Sequence, residues 1–542
     1  MFQRHRVENF SDSSHDGMLG NGIHQNGKFF ITHSDLHHRN SAIRTTHTHQ
    51  KFFIFLLIAA IGVGIFFNAR ETAIFLVASI TIVYFLDLLF NLFLIVQSFR
   101  NPSEIEVDRD EILSLRNEDL PMYTVFCPLY KEWQVVPQFV RAIDRLDWPK
   151  EKLDVQLLLE EDDEKTVEEI GKMTLPPYFR VLLVPHGQPK TKPKACNYGL
   201  GYARGEYAVI FDAEDIPDPD QLKKAFIAFR RAEATGDRII CAQAKLGFYN
   251  ANRNILTRLF SAEYALWFDL VLTGLQSIKS PIPLGGTSNH FRTRDLRMLK
   301  GWDPFNVTED CDLGMRICKL GYHTVIFNSN TMEEATSRLG NWMRQRSRWI
   351  KGYMQTYLVH MRRPQEFLMD LRNPHIITFQ LVVGGKIASM FINPFMWVAT
   401  ASYFLFRPIV GEAIESVYPG PILYMAVFSL VLGNFLYMYY YMLGCLKRNQ
   451  GELVKYVLLI PIYWLMMSIA AWKAFFQLIF KPHYWEKTTH GFHLATETAE
   501  VHAAQAEELR GQEVFVPDSN YILDFVSDEV IVRSSNTKRK IV

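Results

Sequence analysis

The chain has 542 residues, more than one ordinary domain, and 48% of them are hydrophobic, including 40 phenylalanines. This composition excludes a simple soluble enzyme and places part of the chain in a membrane. Because 58 Lys and Arg residues balance 57 Asp and Glu residues, the charge gives no reason to expect nucleic acid as a partner. Six cysteines without Cys-x-x-Cys spacing are predicted to be reduced packing residues.

Residues 1–50 are rich in His, Ser, Asn and Gly and show little apolar periodicity. Such a segment cannot bury enough surface to fold alone, so a disordered tail is predicted. Metal binding by its histidines is the alternative, although their spacing is irregular.

Two apolar runs follow, at residues 52–67 and 73–99. Each is long enough to cross about 30 Å of hydrocarbon, so residues 51–100 are predicted to form a pair of membrane helices. Basic residues flank the pair on both sides, at Lys51 and Arg100. The positive-inside bias then places both flanks in the cytoplasm.

Between residues 122 and 243, short β-rich runs alternate with helical patterns. This alternation predicts βαβ units and a mostly parallel sheet, with ligands beyond the carboxyl ends of its strands. The acidic run at 160–163 has an equally good explanation as a solvated turn. Lys194 lies at the start of a helix, where it and free N–H groups are suited to meet a phosphate. The polar residues after the strands include Tyr130, Glu132, Glu160, Glu161, Asp212, Glu214 and Asp215.

Residues 305–352 contain Thr308-Glu309-Asp310, a helix-like stretch, and Gln345, Arg348 and Trp349 in Q-x-x-R-W spacing. A carboxylate pair after a strand can hold a divalent metal on a diphosphate, and a third carboxylate can deprotonate an attacking hydroxyl. An arginine and a tryptophan can hold the leaving group and stack on an acceptor sugar. The ordered set therefore predicts sugar transfer from a nucleotide diphosphate. The structural alternative is a capped helix and an interfacial tryptophan.

These motifs, in this order over residues 51–490, resemble those of membrane-embedded family 2 glycosyltransferases with a GT-A fold. That group contains cellulose, hyaluronan and chitin synthases, and the exopolysaccharide synthases of the XagB type are the most similar. The resemblance implies an α/β, GT-A (Rossmann-like) cytosolic domain over residues 101–360, inserted between transmembrane helices.

The resemblance also implies roles for single residues. Asp310 corresponds to the catalytic base, and Mg²⁺ or Mn²⁺ is the implied cofactor. The D-A-E-D sequence leaves open whether Glu214 or Asp215 is the second metal ligand beside Asp212, and glutamates replace the usual aspartates after the second strand. The implied donor-nucleotide residues are Tyr130, Glu132, Glu160, Glu161, Lys194, Asp212 and Arg348. The implied acceptor residues are Gly286, Thr287, Thr308, Glu309, Gln345 and Trp349.

After residue 360 come apolar runs at 375–406, 421–446 and 453–480. The last run contains Pro461, Trp464 and Lys473 and suits an interfacial helix better than a span, so four crossings are predicted in all. Residues 361–480 are then interfacial and transmembrane helices, and residues 481–542 are a gating-like loop and a cytosolic tail. The gating residues implied by the resemblance are Trp485, Lys487, Thr488 and His490.

The sequence thus predicts an inverting, processive transferase that polymerises a β-linked polysaccharide from UDP-glucose or UDP-N-acetylglucosamine and moves it across the membrane. The alternatives are a non-processive enzyme acting on a lipid carrier and an inactive nucleotide-binding scaffold. The expected partners are the UDP-sugar, the growing polysaccharide, the lipid bilayer, and accessory export or regulatory proteins. The expected location is the bacterial inner membrane, with the catalytic domain and both termini cytoplasmic.

Overall fold

The computed structural model describes residues 18–25, 27–367 and 375–486, and the backbone of four strands nearer the C-terminus. The chain divides into one unit up to Thr488 and a second from Thr489 to Val542. In the second unit the four strands form an antiparallel sheet in chain order. Its strands are Val514–Phe515, Tyr521–Val526, Glu529–Ser534 and Thr537–Lys540.

The N-terminal segment begins with an antiparallel hairpin of β1 (Gly22–Gln25) and β2 (Lys28–Ile31). Beyond it, the hydroxyl of Ser41 donates to Asp303 at 2.8 Å and the backbone N–H of Ala42 donates to the same carboxylate at 2.6 Å. Residues 18–25 and 27–50, where the sequence predicts a disordered tail, thus have a described structure with contacts to the next domain. The segment has too little apolar surface for a core of its own, but Ala42 is buried against apolar residues of the next domain.

Helix α1 (Thr48–Arg100) has a single break at Asn68, where φ is −157° and ψ is 88°. A Cβ atom on Gly64 would lie 2.7 Å from the hydroxyl of Thr72, whereas eight residues of continuous helix span about 12 Å. The chain therefore reverses at Asn68, and α1 is a hairpin of two helical arms. Its apolar side chains are largely exposed, including Phe66 and Phe67 at the turn.

The middle of the chain alternates strands and helices, as the sequence predicts. Its first half contains α2 (Arg109–Ser114), β3 (Tyr123–Leu129), α3 (Val136–Asp144), β4 (Leu153–Glu160), α4 (Glu164–Gly171), β5 (Phe179–Val184), α5 (Lys192–Gly201), β6 (Tyr207–Ile210), β7 (Ile216–Pro217), α6 (Gln221–Thr235) and β8 (Ile239–Phe248). Its second half contains α7 (Ile255–Leu266), α8 (Leu272–Ser277), β9 (Asn289–Arg292), α9 (Thr293–Met298), α10 (Glu309–Lys319), β10 (His323–Glu333) and α11 (Leu339–His360).

These strands form one eight-stranded sheet in the order β5-β4-β3-β6-β9-β8-β10-β7. All are parallel except β9 and β7. Successive residues of β3 enter the apolar cores on opposite faces, Val125 on one and Phe126 on the other. The carboxyl ends of β3, β4, β6 and β10 therefore meet at one edge, where the predicted ligand residues follow the strands. The six cysteines are buried and free, as predicted.

The remaining helices are largely apolar. They are α12 (His375–Phe379), α13 (Lys386–Leu405), α14 (Arg407–Glu415), α15 (Gly420–Phe428), α16 (Asn434–Lys447) and α17 (Ile460–Phe480). Within the described residues, four helical stretches are long and apolar enough to cross a membrane: Thr48–Arg100, His375–Leu405, Gly420–Lys447 and Gly451–Phe480.

Helix α17 packs along α11. Near the start of both helices the indole N–H of Trp342 lies 3.3 Å from the hydroxyl of Tyr463, and towards their ends Gln355 donates to the carbonyl of Pro482 at 3.0 Å. A helix attached along its length to the α/β domain favours the predicted interfacial position over a span.

Candidate active site

Asp212 lies just beyond β6, at the ligand edge of the sheet, with its side chain partly exposed. Lys192, the first residue of α5, forms an ion pair with it and donates to the carbonyl of Gly286 at 2.8 Å. Although burial acts against its charge, the carboxylates of Asp212 and Glu309 raise the pKa of Lys192. The cleft thus has a charged lysine beside its first carboxylate.

Asp215 points away from this cleft. Its side chain is fully buried, and one carboxylate oxygen accepts from the backbone N–H of Asp212 at 2.7 Å and from the hydroxyl of Thr287. Burial, followed by the charge of Asp212, raises the pKa of Asp215. Of the two candidates left open by the sequence, Glu214 is half-buried and better placed to be a ligand.

Within the described residues no group of three or more His, Cys, Asp or Glu side chains is arranged to hold a metal ion. Asp212 and Glu214 supply hard carboxylate oxygens of the kind that Mg²⁺ and Mn²⁺ prefer. A site built on them needs further oxygens, which a donor diphosphate would provide. The residues present therefore fit a metal that binds together with its nucleotide.

Asp310 is the second residue of α10 and is half-buried. One of its oxygens accepts from the N–H of Cys311 at 2.7 Å, and the other would lie 3.4 Å from a Cβ on Gly286. Burial raises the pKa of Asp310 to about 6, while the Cys311 bond and the charges of Lys192 and Arg348 act in the opposite direction. An ionised Asp310 near neutral pH is a suitable proton acceptor.

The neighbouring Glu309 is buried, and burial together with the Asp310 carboxylate raises its pKa. Thr308 is buried against Gly352 of α11, where a Cβ atom would clash with its side chain. These contacts lock α10 onto α11. They leave Glu309 and Thr308 as supports of Asp310 rather than exposed acceptor contacts.

Gly286 and Thr287 were both predicted to contact the acceptor. The absence of a side chain at Gly286 leaves the approach to Asp310 open. Thr287 is only 1% exposed, and its hydroxyl donates to the carbonyl of Ile210 and to Asp215. In this structure the Thr287 side chain holds Asp215 in place, and its acceptor contact remains a prediction.

Arg348 and Trp349 lie on α11 on the same side of the sheet edge. The Arg348 guanidinium stacks 4.4 Å from the ring centroid of Trp485, which follows α17. Trp349 packs against Phe260 and Tyr264 of α7, with ring centroids 6.0 and 6.4 Å away. Both residues are therefore positioned by contacts within the α/β domain and its attached helix, rather than by exposure on a membrane-facing surface.

Gln345, the first residue of the Q-x-x-R-W motif, is 7% exposed and lies 3.4 Å from the hydroxyl of Thr336. Arg346, which the motif leaves unspecified, donates to both carboxylate oxygens of Glu263, one at 3.0 Å. Its guanidinium lies 4.7 Å from the ring centroid of Trp349. The unspecified residue is thus the one that braces the motif tryptophan.

The nucleotide side differs from expectation at Lys194. This lysine is fully buried and donates to Glu160 at 3.0 Å and to the carbonyls of Pro185 and Gly187. The predicted contacts of Lys194 and Glu160 with the nucleotide remain predictions, and in this structure the two side chains bond to each other inside the protein. Lys192, two residues earlier, lies in the cleft beside Asp212.

The other predicted nucleotide residues lie near the ends of β3 and β4. Tyr130 and Glu132 are half-buried, and Glu161 is exposed while accepting from the N–H of His186 at 3.0 Å. Asp163 accepts from the N–H of Lys131 at 2.6 Å and so fixes the loop after β3. Of the predicted gating residues only Trp485 is described. Lys487, Thr488 and His490 lie outside the described residues.

Residues 207–472 match the model of a family described as glycosyl transferase family group 2. Over these residues the chain is similar to that family of glycosyl transferases. The chain is also 25% identical over 268 residues to the probable glycosyltransferase YdaM of Bacillus subtilis (strain 168). That alignment covers 49% of this chain and 63% of YdaM. Both similarities agree with the predicted transferase class, and the sheet described above makes the fold mixed α/β, as predicted.

A solved structure, the mannosyltransferase PcManGT from Pyrobaculum calidifontis in complex with GDP-Man and Mn²⁺, covers 74% of this chain and 99% of its own at 16% identity and a TM-score of 0.46. A structural similarity with so low a TM-score gives no evidence for the donor or the metal of this chain.

Two residues near the cleft are not among the residues predicted from the sequence. Lys192 opens α5 two positions before Lys194, and Glu333 ends β10 at the ligand edge. Burial, followed by the charges of Asp215, Asp212 and Glu214, raises the pKa of Glu333. Its position at the carboxyl end of a parallel strand is the signal that would have identified it.

Among the apolar helices lie two cavities of about 200 and 380 Å³. They share Tyr84, Asn393, Ser429 and Asn434, so they adjoin. The first reaches Glu263, the partner of Arg346, and includes Asp87, which accepts from the hydroxyl of Tyr437 at 2.6 Å. Two adjoining cavities thus begin beside the brace of Trp349, and their lining combines apolar and aromatic side chains with hydroxyls, amides and the charged Asp87, Glu263 and Lys386.

Proposed function

We propose that this protein is an inverting, processive glycosyltransferase that extends a β-linked polysaccharide from a UDP-sugar and passes the product through its own helices. UDP-glucose and UDP-N-acetylglucosamine are the proposed donors. This places it with the membrane-embedded synthases that its motifs resemble, including the XagB type. The protein is proposed to be a multi-pass protein of the bacterial inner membrane, with its catalytic domain in the cytoplasm.

The observation that carries the proposal is the convergence of Asp212 and Asp310 on one cleft. Lys192 joins Asp212 to the carbonyl of Gly286. On the other side of Gly286, a Cβ atom would lie 3.4 Å from Asp310. The carboxylate suited to the diphosphate and the carboxylate suited to the acceptor hydroxyl are thus both close to Gly286, whose lack of a side chain leaves the approach to Asp310 open.

In the proposed mechanism Asp310 accepts the proton of the acceptor hydroxyl, and that oxygen attacks the anomeric carbon as the bond to the diphosphate breaks. A divalent cation, held by Asp212 and Glu214, would neutralise charge on the leaving diphosphate. Lys192 and Arg348 place positive charge around the same group. A single displacement inverts the anomeric configuration and needs no covalent intermediate.

Processivity is supported by the position of Trp349. Its ring offers a flat apolar face to a terminal sugar, and Arg346 ties it to Glu263, which lines the adjoining cavity. Sugars suit such a path, since aromatic faces contact their C–H groups and polar side chains bond their hydroxyls. The product would therefore enter the helices directly from the acceptor position.

Membrane placement is supported by the α1 hairpin and by the two long apolar stretches His375–Leu405 and Gly420–Lys447. With α17 held along α11, these give four proposed crossings. Large exposed apolar surfaces of this kind need lipid or a partner to cover them.

The decisive experiment compares wild type with Asp310→Asn in purified membranes supplied with each UDP-sugar. Wild type should release UDP and form polymer with one donor, and the variant should lose about 100- to 10,000-fold in rate while still binding UDP. If the products are short glycolipids, the protein is a non-processive transferase acting on a lipid carrier and not a polymerase. Absence of UDP release with every donor would leave an inactive scaffold.

A further inference from the structure

A basic cavity of about 790 Å³ lies outside the proposed active site, between the N-terminal segment and the ends of α10 and α11. Its lining includes six Lys or Arg side chains, four histidines and one carboxylate, Asp35. Of these, Arg316 and His360 are already bonded to the buried Asp312. We call it the basic cavity. The residues used below are Arg39, His47, Lys300 and Arg362.

Arg362 forms no direct ion pair with a carboxylate in the described part of the chain, although the negative charges of Asp303 and Asp312 lie close enough to act on it. It is 9% exposed and donates to the backbone carbonyls of Arg39 and Ser41 at 2.7 and 3.0 Å and to that of Arg44. Its Nε has no partner, and the same holds for the buried Nε2 of His47. A buried guanidinium whose hydrogen bonds go only to carbonyls remains positively charged and can take a further anion as a direct partner.

The basic cavity lies where the chain twice passes from the α/β domain into apolar helices. His47 caps α1, and the apolar run of that helix starts five residues later, about 7 Å along its axis. Arg362 follows α11 and precedes α12 and α13. Beside the cavity, Phe52, Phe53 and Phe55 are each more than 60% exposed on the first arm of α1.

We propose that the basic cavity binds the phosphate of an anionic phospholipid headgroup. The proposal rests on the membrane placement proposed above, since the acyl chains would lie along the exposed phenylalanines of α1. A soluble phosphate would use the charge of the cavity and leave that adjoining apolar surface uncovered. The juxtaposition of buried positive charge with an apolar helix is what favours the lipid.

The test uses the purified full-length protein in uncharged detergent, with no nucleotide sugar present, so that failure of the proposed transferase activity does not affect it. The probes are dioctanoyl phosphatidylglycerol, dioctanoyl phosphatidylcholine and inorganic phosphate, and bound lipid is counted by native mass spectrometry. Wild type should bind phosphatidylglycerol saturably and more tightly than phosphatidylcholine. Excess phosphate should not displace it.

Removing two exposed charges, in Arg39→Gln with Lys300→Gln, should weaken phosphatidylglycerol binding roughly 25-fold, or about fivefold for each charge. The matched control is Arg141→Gln on α3 with Arg145→Gln just after it, which removes the same charge elsewhere and should leave binding unchanged. The test uses the exposed Arg39 and Lys300 because replacing the buried Arg362 would remove its three bonds to backbone carbonyls and could unfold the protein.

Equal affinity for the two lipids, or an equal loss in the control pair, would overturn the proposal. Displacement by inorganic phosphate would overturn the lipid assignment and identify a soluble-anion site. A protein that stays monomeric without detergent would instead overturn the membrane placement itself.

Discussion

Arg346 on α11 donates to both carboxylate oxygens of Glu263 on α7, immediately beside Trp349. The Arg346 side chain is 6% exposed and that of Glu263 is 21% exposed. Removing one partner of a buried pair costs about 3 to 5 kcal/mol, because the other charge stays buried. Glu263→Gln should therefore lower the melting temperature clearly and slow polymer extension while leaving UDP affinity near that of wild type.

The matched control for that change is Glu111→Gln. Glu111 pairs with Arg231 on the surface, where both side chains are 40% exposed. Exposed pairs contribute about 0 to 1 kcal/mol, so this variant should melt and function like wild type. If Glu263→Gln extends polymer at the wild-type rate, Arg346 does not position Trp349.

The pH dependence of transfer should follow Asp310. Burial raises its pKa to about 6, and a general base works only in its ionised form. The transfer rate should therefore be full above this value and fall about tenfold per pH unit below it. The measurement is the initial rate of UDP release against pH at saturating donor. The residual rate of Asp310→Asn should lack this acid limb, and its persistence there would assign the limb to another group.

Lys192 and Lys194 should behave in opposite ways when replaced by methionine. Lys192→Met removes a charge-assisted contact at the cleft, which is worth roughly 10- to 100-fold in donor affinity, and should leave the melting temperature nearly unchanged. Lys194→Met strands the buried Glu160 carboxylate and should mainly destabilise the fold. Isothermal titration with the UDP-sugar and a melting curve for each variant would separate the two effects. If only Lys194→Met weakens donor binding, then Lys194 and not Lys192 contacts the nucleotide.

The sequence was enough to predict the sheet and its ligand edge, because strand periodicity and turn positions place these without tertiary information. It favoured Lys194, whereas Lys192 is the lysine that lies beside Asp212 in the structure. Residues two apart on a helix point to nearly opposite sides, and only the packing of α5 on the sheet decides which side faces the cleft. Asp215 was ambiguous for the same reason. The sequence of the N-terminal segment does not reveal its packing, because the apolar partners of Ala42 belong to another domain.

Metal dependence should separate Glu214 from Asp215. Glu214→Ala should reduce metal-dependent nucleotide binding without unfolding the protein, since its side chain is half-buried at the cleft. Asp215→Ala should lower the melting temperature, because it removes the acceptor of the Asp212 N–H and the Thr287 hydroxyl. UDP binding with Mg²⁺, Mn²⁺ or EDTA is the measurement. Full transfer activity in EDTA would remove the metal from the proposed mechanism.

Residues 481–486 follow α17, and their position bears on both topology and gating. Lys351 donates to the carbonyl of Tyr484 at 2.6 Å, and Trp485 covers Arg348. This segment therefore lies on the same side as the active site. Tyr484 is 52% exposed and all six native cysteines are buried, so Tyr484→Cys can be labelled without removing them. In intact cells a membrane-impermeant thiol reagent should not label Tyr484→Cys, and labelling should appear only after the membrane is permeabilised.

Ser416→Cys, an exposed position between α14 and α15, is the matched control and should react from outside if there are four crossings. UDP should slow the labelling of Tyr484→Cys, because a segment that closes over the donor excludes reagent as well as water. Trp485→Ala should then raise hydrolysis of the UDP-sugar relative to transfer. Labelling of Tyr484→Cys from outside would overturn the crossing count. Cytoplasmic labelling that ignores UDP, with an unchanged ratio of hydrolysis to transfer in Trp485→Ala, would keep the topology and remove the gating role.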